Sequence, residues 1–137
     1  MSKEFYKSFI ITKTNHIIID CKVNTILGKF ILDTGASNSC INILVAEKYM
    51  IKYINSTEIA STATTSIEKT YYSKKNNFQI GKLSYNNFKV FLFDMSHINK
   101  SLIENKISVV DGIIGSDILK EFNAKIDYEK RLLSLKL

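Results

Sequence analysis

The sequence contains no proline and no tryptophan, and only five glycines, two cysteines and two histidines among its 137 residues. No stretch has the composition of a linker, so we expect a single domain over residues 1–137. The cysteines, Cys21 and Cys40, allow one disulfide but no disulfide framework, and both are most simply buried small hydrophobic residues. The histidines, His16 and His97, belong to no cluster of metal-ligating residues, so no metal site is expected.

Long apolar runs are also missing. No stretch approaches the roughly 20 consecutive apolar residues that a membrane-spanning helix needs. Residues 1–15 are charged and polar, unlike the apolar centre of a secretory signal. We therefore expect a cytoplasmic protein with no membrane partner.

Arginine is nearly absent as well. All but one of the 19 basic residues are lysine, and with 13 acidic residues the net charge is +6. The lysines are spread along the chain, whereas nucleic-acid-binding proteins usually cluster basic residues and interleave them with aromatic ones. The spread favours a solvated surface and no nucleic-acid partner. The alternative, a basic nucleic-acid-binding protein, predicts binding that falls steeply with salt.

Apolar residues in strand-like patterns are what the chain does contain. They make up 45% of the sequence, with eight phenylalanines and seven tyrosines, which indicates a folded protein. Most of the alternation has a period of two, as in β-strands, and the first two strands are predicted to turn at Asn24-Thr25. The predicted strands cover residues 17–23, 26–32, 78–80, 82–85, 88–93, 107–110, 124–128 and 132–137.

Two short helices complete the prediction. Apolar residues at helical spacing predict one over residues 41–50, capped by Ser39 or Asn42, and the second runs from an N-cap at Asp117 through Phe122. The remaining segments are predicted to be an exposed hairpin or loop over 55–77 and a polar connection, with room for a helical turn, over 94–106. The pattern predicts an all-β fold: a small barrel, closed or partly closed, with one or two short helices.

The most informative segment is residues 30–37, Phe-Ile-Leu-Asp-Thr-Gly-Ala-Ser. An apolar strand leads directly into Asp33-Thr34-Gly35, which puts a carboxylate in a tight turn at the end of a buried strand. Burial and close neighbours can tune such a carboxylate for acid–base chemistry. A purely structural turn residue would show the same local pattern. So would the phosphate loop of an actin-like ATPase, although that fold needs a much longer chain.

A second pattern, two apolar residues followed by glycine before a helix, occurs at Ile113-Ile114-Gly115. Together the two patterns resemble the retropepsin-like aspartic proteases. Residues 78–137 resemble the bacterial members more than the viral ones, and the resemblance extends over about residues 16–137. It implies the acid-protease barrel, in which Ile113, Ile114 and Gly115 thread near the catalytic loop and support it.

The resemblance also implies a role for each residue of the loop. Asp33 would be the catalytic carboxylate, Thr34 would hydrogen-bond across a dimer, and Gly35 would let the backbone approach the carboxylate. Ala36 matches the retroviral motif. Pepsin-like enzymes have a serine there, and its absence should favour activity at milder pH. Ser37 stands where retroviral enzymes carry a substrate-binding acidic residue, and the arginine that pairs with that residue is also absent here.

One chain would supply only one catalytic aspartate, because only Asp33 is followed by Thr-Gly. Aspartic proteolysis needs two carboxylates that share a proton, one acting on water and one on the scissile carbonyl. The resemblance therefore implies a symmetric homodimer, an aspartic endopeptidase that acts on extended peptides without a metal or organic cofactor. The alternative is a catalytically inactive peptide-binding or dimerisation module on the same fold.

A flap over the substrate is the least typical part of the sequence. Family members close a β-hairpin there, usually with glycines at its tip. The candidate tip is residues 61–66, with Ala63, Thr64 and Thr65 as the candidate substrate contacts, and this segment has no glycine. A β-branched tip would move less freely than a glycine-rich one. An ordinary polar loop is the alternative.

Two further sets of apolar residues leave alternatives open. Tyr71 and Tyr72, near the expected flap, would either line the cleft or cover the sheet. Leu133, Leu135 and Leu137 form a terminal stripe that belongs either to the core or to a dimer sheet, because an exposed edge so apolar would be a liability.

Overall fold

The computed structural model describes residues 3–55 and 70–137. The candidate flap residues Ala63, Thr64 and Thr65 lie outside these residues. The described strands are β1 (Glu4–Ser8), β2 (Ile10–Ile11), β3 (Ile17–Val23), β4 (Ile26–Leu32), β5 (Cys40–Asn42), β6 (Ile54–Asn55), β7 (Tyr71–Ile80), β8 (Leu83–Phe93), β9 (Gly112–Ile114), β10 (Lys125–Asp127) and β11 (Leu132–Lys136). The α-helices are α1 (Ser96–Glu104) and α2 (Ser116–Glu121), and Ile43–Val45 forms one 3₁₀ turn.

The strands form a barrel and a smaller sheet. The larger sheet has the order β2-β3-β4-β9-β5-β8-β7-β6, and an additional pairing of β3 with β7 closes its six central strands into a barrel. The smaller sheet has the order β1-β11-β10. The predicted all-β fold, a small closed or partly closed barrel with one or two short helices, is confirmed: the barrel is closed and the described residues contain two α-helices.

The hairpin that leads to the Asp33 loop forms as predicted. Strands β3 and β4 pair from Ile17 with Leu32 to Val23 with Ile26. The turn residues Asn24 and Thr25 have φ values of 50° and 74°, and positive φ at both central positions matches the twist of a two-residue hairpin. The turn is also tied to the barrel, because the Asn24 side chain accepts a hydrogen bond from the Asn77 backbone N–H at 2.9 Å.

The predicted helix over residues 41–50 is wrong. Its first residues form strand β5, which lies between β8 and β9 and buries Ile41 completely. One 3₁₀ turn follows, and Leu44 is 66% exposed although helical spacing had assigned it to the buried face. Sheet pairing thus outweighs the local pattern. Asn42 does cap the short turn, since its side chain accepts a hydrogen bond from the Leu44 N–H at 3.2 Å.

Three other predicted boundaries also shift. Residues 71–77, predicted as loop or exposed hairpin, belong to β7, and the connection 94–106 holds the nine-residue helix α1. The predicted strand 107–110 is irregular, and the strand begins at Gly112 instead. The Asn99 side chain accepts a hydrogen bond from the Val110 N–H at 2.9 Å and donates one to the Val110 carbonyl at 3.1 Å. Both backbone groups of Val110 are therefore satisfied without a neighbouring strand.

The core has two parts. The main cluster fills the barrel and extends to α2 and β11, and a smaller one of Ile18, Ile31, Met95, Leu102 and Val110 lies beneath α1. Of the terminal stripe, Leu133 and Leu135 are 1% and 2% exposed and belong to the main core, whereas Leu137 is 66% exposed. In the described part of the chain, no helix is long and apolar enough to cross a membrane.

Candidate active site

Asp33 lies directly after β4 and is half-buried. Strand β4 runs parallel to β9, with Leu32 opposite Ile114, and the Asp33 N–H continues this pairing by donating to the Ile114 carbonyl at 2.9 Å. The start of the Asp33 loop is therefore fixed to the strand that carries the second sequence pattern.

The loop itself is a tight turn around the Asp33 carboxylate. The Gly35 N–H donates to Asp33 Oδ1 at 2.8 Å, and the Ala36 N–H donates to the Asp33 carbonyl at 3.2 Å. A hydrogen bond from a backbone amide orients a carboxylate. Within residues 3–55 and 70–137, no hydrogen bond reaches Asp33 Oδ2, while Thr34, Gly35 and Ser37 are exposed. The carboxylate thus has one oxygen held by its own loop and one left for a further partner.

Gly115 makes close contact with the loop possible. A Cβ atom at this position would lie 2.5 Å from the Ala36 carbonyl oxygen, closer than a carbon atom can approach. The next residue, Ser116, donates its N–H to that same carbonyl at 2.7 Å. The sequence pattern of two apolar residues and a glycine therefore has a direct cause: the end of β9 packs against the backbone of the Asp33 loop.

A buried contact between Ser39 and Asp117 also holds the loop, and no sequence pattern indicated it. Ser39 is completely buried, and its hydroxyl donates to Asp117 Oδ1 at 2.8 Å and accepts from the Gly115 N–H at 3.0 Å. The Ser39 N–H donates to Asp117 Oδ2 at 3.0 Å. Asp117 was predicted to be the helix N-cap, which is wrong. Gly115 occupies that position, and the Asp117 carboxylate binds the loop instead.

The start of β9 is held by a second polar cluster. The Asp111 carboxylate accepts a hydrogen bond from the Tyr49 hydroxyl at 2.5 Å and pairs with Lys48 Nζ at 2.7 Å. Burial, together with the hydrogen bond to Asp111, raises the pKa of Tyr49, so this hydroxyl stays protonated. The hydroxyl fits because residue 28 is glycine: a Cβ atom there would lie 1.8 Å from the Tyr49 oxygen.

Both cysteines are free and buried. Cys40 lies in β5 beside β9, with Ile113 opposite it. Burial, with a smaller effect of the Asp117 charge, raises the pKa of the Cys40 thiol to about 12. Cys40 therefore acts as a small apolar residue behind the loop.

A pocket of about 360 Å³ opens in front of the loop. Asp33 and Thr34 line it together with His16 before β3, Ile126 in β10 and Tyr128 just after β10. The C-terminal hairpin thus lies beside the carboxylate.

The two tyrosines near the expected flap are half-buried and pack against other rings. The Tyr71 ring lies 5.1 Å from that of Tyr53, and the Tyr72 ring lies 5.0 Å from that of Phe91. These contacts agree with the sheet-covering alternative. Considering only the residues that the structure describes, no group of three or more His, Cys, Asp or Glu side chains could hold a metal ion.

A barrel with an Asp-Thr-Gly loop at the end of a buried strand defines the class of the aspartic proteases, and comparisons with known proteins give the same class. The family model for aspartyl proteases matches residues 19–118. The chain therefore belongs to the aspartyl protease family. No curated protein matches it significantly in sequence.

Solved structures share its fold at low sequence identity. A retropepsin-like aspartic protease from Rickettsia conorii is 22% identical, with a TM-score of 0.62 over 99% of this chain and 92% of its own. The retroviral protease-like domain of Ddi1 from Leishmania major is 19% identical, with a TM-score of 0.64 over 88% and 87%. The EIAV protease, in complex with the inhibitor HBY-793, is 14% identical, with a TM-score of 0.57 over 86% and 98%.

Proposed function

We propose that the protein is a homodimeric aspartic endopeptidase in which each subunit contributes Asp33. In this reaction one ionised carboxylate removes a proton from water, whose oxygen attacks the carbonyl carbon of the scissile peptide bond. The other carboxyl group is protonated and donates to the carbonyl oxygen. The tetrahedral intermediate then collapses, the C–N bond breaks, and a proton passes to the leaving amine. The single observation that carries the proposal is the Asp33 loop in the aspartic protease fold, with an Oδ2 that no described residue hydrogen-bonds.

The need for a second subunit follows from the uses of the other aspartates. Each of the other aspartates has a hydrogen-bond or ion-pair partner of its own and does not face Asp33 Oδ2. Asp20 pairs with Lys29, Asp94 binds Ser96, Asp111 binds Tyr49, Asp117 binds Ser39, and Asp127 accepts from the Lys130 N–H. A second carboxylate for the dyad would therefore come from Asp33 of another copy, on a two-fold axis.

The C-terminal hairpin offers a surface for that axis. Strand β10 is at the edge of the smaller sheet, with β11 on one side and no strand of the described chain on the other. Ile126 in β10 and Tyr128, which is 57% exposed, line the Asp33 pocket. An antiparallel pairing of β10 with its copy would bring two such pockets together and cover the exposed edge. Residues 1–137 would act as one domain in this dimer.

The substrate would be an extended peptide that lies across the two Asp33 loops. A flap over it, with contacts from Ala63, Thr64 and Thr65, stays a prediction. Five further residues would hold the loop in place without touching the reacting bond: Ala36, Ser37, Ile113, Ile114 and Gly115.

One observation favours a second function, an inactive peptide-binding or dimerisation module. The segment expected to form the flap has no glycine, and a stiff or open flap would bind a peptide without enclosing it for hydrolysis. Product formation separates the two functions. A protease forms products that disappear when Asp33 is changed, whereas an inactive module forms none in either protein.

The test is digestion of a proteome-derived peptide mixture by wild type and Asp33→Asn, from about pH 4 to pH 8 and at several protein concentrations. We expect products from wild type only, at a rate that rises faster than linearly with concentration while the dimer forms. Asp20→Asn, which alters a partly exposed carboxylate away from the loop, is the matched control and should cleave normally. Equal products from wild type and Asp33→Asn, or no products from a dimer verified by sedimentation, would contradict the protease.

Ile126→Lys tests the proposed dimer surface, because it would set two like charges against each other at the β10 edge. We expect a monomer in sedimentation experiments and no cleavage. A dimer that persists with unchanged activity would contradict this surface.

A further inference from the structure

A second pocket, of about 480 Å³, lies next to the pocket that holds Asp33. Helix α1 supplies six of the residues that line it, and His16, in the loop before β3, supplies the opposite side. The proposed catalytic chemistry makes no use of α1, and the sequence alone suggested only a polar connection there.

The helix turns one polar face toward this pocket. His97, Lys100, Ser101 and Glu104 all line it, and their spacing of three, four and seven residues puts them on one side of a helix. The helix is fixed from its other side, because Asn99 holds Val110 through two hydrogen bonds. Leu102, which also lines the pocket, is buried in the smaller core. The polar face is therefore held in one orientation above the pocket.

The two pockets adjoin at one residue, His16, and together are termed the groove. Ile17 pairs with Leu32 in the hairpin, so His16 comes next to Asp33 in the same register. His16 also lines both pockets. A Thr14 side chain 2.8 Å from His16 Nδ1 orients the imidazole ring. A peptide that leaves the Asp33 loop on this side would pass His16 and reach α1.

We propose that this groove is a subsite for acidic side chains of the peptide substrate, which rests on the proposed protease function. The α1 part of the groove carries one lysine and two histidines against one carboxylate, Glu104, at the far end of the polar face, and Asp33 lies in the other part. Lys100, His97 and His16 can all donate hydrogen bonds to a carboxylate. From His97 to Glu104 the polar face is about 10 Å long, at 1.5 Å per residue. This length corresponds to about three residues of extended peptide. The subsite would thus hold about three peptide residues on one side of the cleaved bond.

The first test compares the cleavage sites of wild type, Lys100→Glu and Glu104→Gln in a proteome-derived peptide mixture. We expect wild type to favour Asp or Glu over a run of about three residues on one side of the cut. Lys100→Glu should lose this preference by at least about fivefold, since it removes an attraction and adds a repulsion. Glu104→Gln should strengthen it. Lys89→Glu, an equal charge reversal at an exposed position of β8 that lines neither pocket, should leave it unchanged.

The second test does not depend on cleavage. Fluorescein-labelled decapeptides that differ only in carrying three Asp or three Lys at one end are titrated against Asp33→Asn by fluorescence anisotropy. We expect the acidic peptide to bind at least about fivefold more tightly in low salt, with the difference reduced in high salt. Adding Lys100→Glu should abolish the difference, and adding Lys89→Glu should not.

The outcomes separate this proposal from the protease itself. Cleavage without acidic preference, or equal binding of the two peptides, would overturn the subsite while leaving the protease intact. Binding that discriminates between the peptides in a protein that never cleaves would support the subsite and overturn the protease. A preference that Lys89→Glu reduces as much as Lys100→Glu would show an effect of net charge alone and overturn the subsite.

Discussion

The contact between Ser39 and Asp117 gives the sharpest test of how the Asp33 loop is held. In Ser39→Ala the Asp117 carboxylate loses the hydroxyl at 2.8 Å, and the buried Gly115 N–H loses its acceptor at 3.0 Å. A hydrogen bond to a charged group contributes about 1.5–3 kcal/mol, and an unpaired buried N–H costs about 1–3 kcal/mol. Because the two losses share one atom they do not add fully, and we expect the free energy of unfolding to fall by about 3 kcal/mol.

Urea unfolding followed by circular dichroism measures this loss. For a chain of this size a slope of about 2 kcal/mol per molar urea makes the expected shift of the midpoint about 1.5 M. All variants must be compared at one protein concentration, because the stability of the proposed dimer would depend on it. Asp117→Asn keeps an acceptor for the Ser39 hydroxyl, so it should lose less, about 1–2 kcal/mol.

The matched control is Ser108→Ala, which removes the same hydroxyl from an exposed position in irregular chain. We expect its midpoint to stay within about 0.3 M of wild type. If Ser39→Ala shifted the midpoint no more than Ser108→Ala, the buried hydroxyl would have no role in holding the loop and the reasoning would be refuted.

Three further predictions concern the surroundings of the loop. Gly115→Ala should cost about 3 kcal/mol of stability, because its Cβ would meet a backbone carbonyl at 2.5 Å; a urea midpoint equal to wild type would contradict that close approach. Tyr49→Phe should cost about 2 kcal/mol of stability through the lost hydrogen bond to Asp111. The control Tyr53→Phe, at a residue that is 43% exposed, should cost little. Equal urea midpoints for these two variants would contradict a stabilising role of the Tyr49–Asp111 hydrogen bond. Cys40, whose buried thiol has its pKa raised to about 12, should react with a thiol reagent at neutral pH only after unfolding, so rapid labelling of the native protein would contradict its burial.

Features that depend on neighbouring residues were predictable from the sequence. The alternation from Ile17 to Val23, the Asn24-Thr25 turn and the apolar strand before Asp33 all follow local rules, and the structure contains each of them. The glycine at position 115 was also a usable signal, because only glycine permits the contact with Ala36.

Features that depend on distant partners were not predictable. Ile41 has the spacing of a helix face, yet it pairs as a strand because β8 and β9 lie on either side of it. Asp117 has the position of a helix cap, but its partner Ser39 is 78 residues away in the sequence. A single sequence does not indicate such a distant pair, so the local rule for helix caps predicted the wrong partner for the Asp117 carboxylate.

The Ser39–Asp117 contact also explains how this loop manages without the ion pair that retroviral enzymes are expected to use. In those enzymes an acidic residue and an arginine would stand where this chain has Ser37 and Ser116. Here one carboxylate on α2 binds the loop through a hydroxyl and a backbone N–H. Both arrangements join the Asp-Thr-Gly loop to the following helix, but this one leaves Ser37 exposed and uncharged. The outer part of the groove therefore lacks that acidic residue, so in the proposed protease the polar face of α1 and His16 would select the charge of the peptide that binds there.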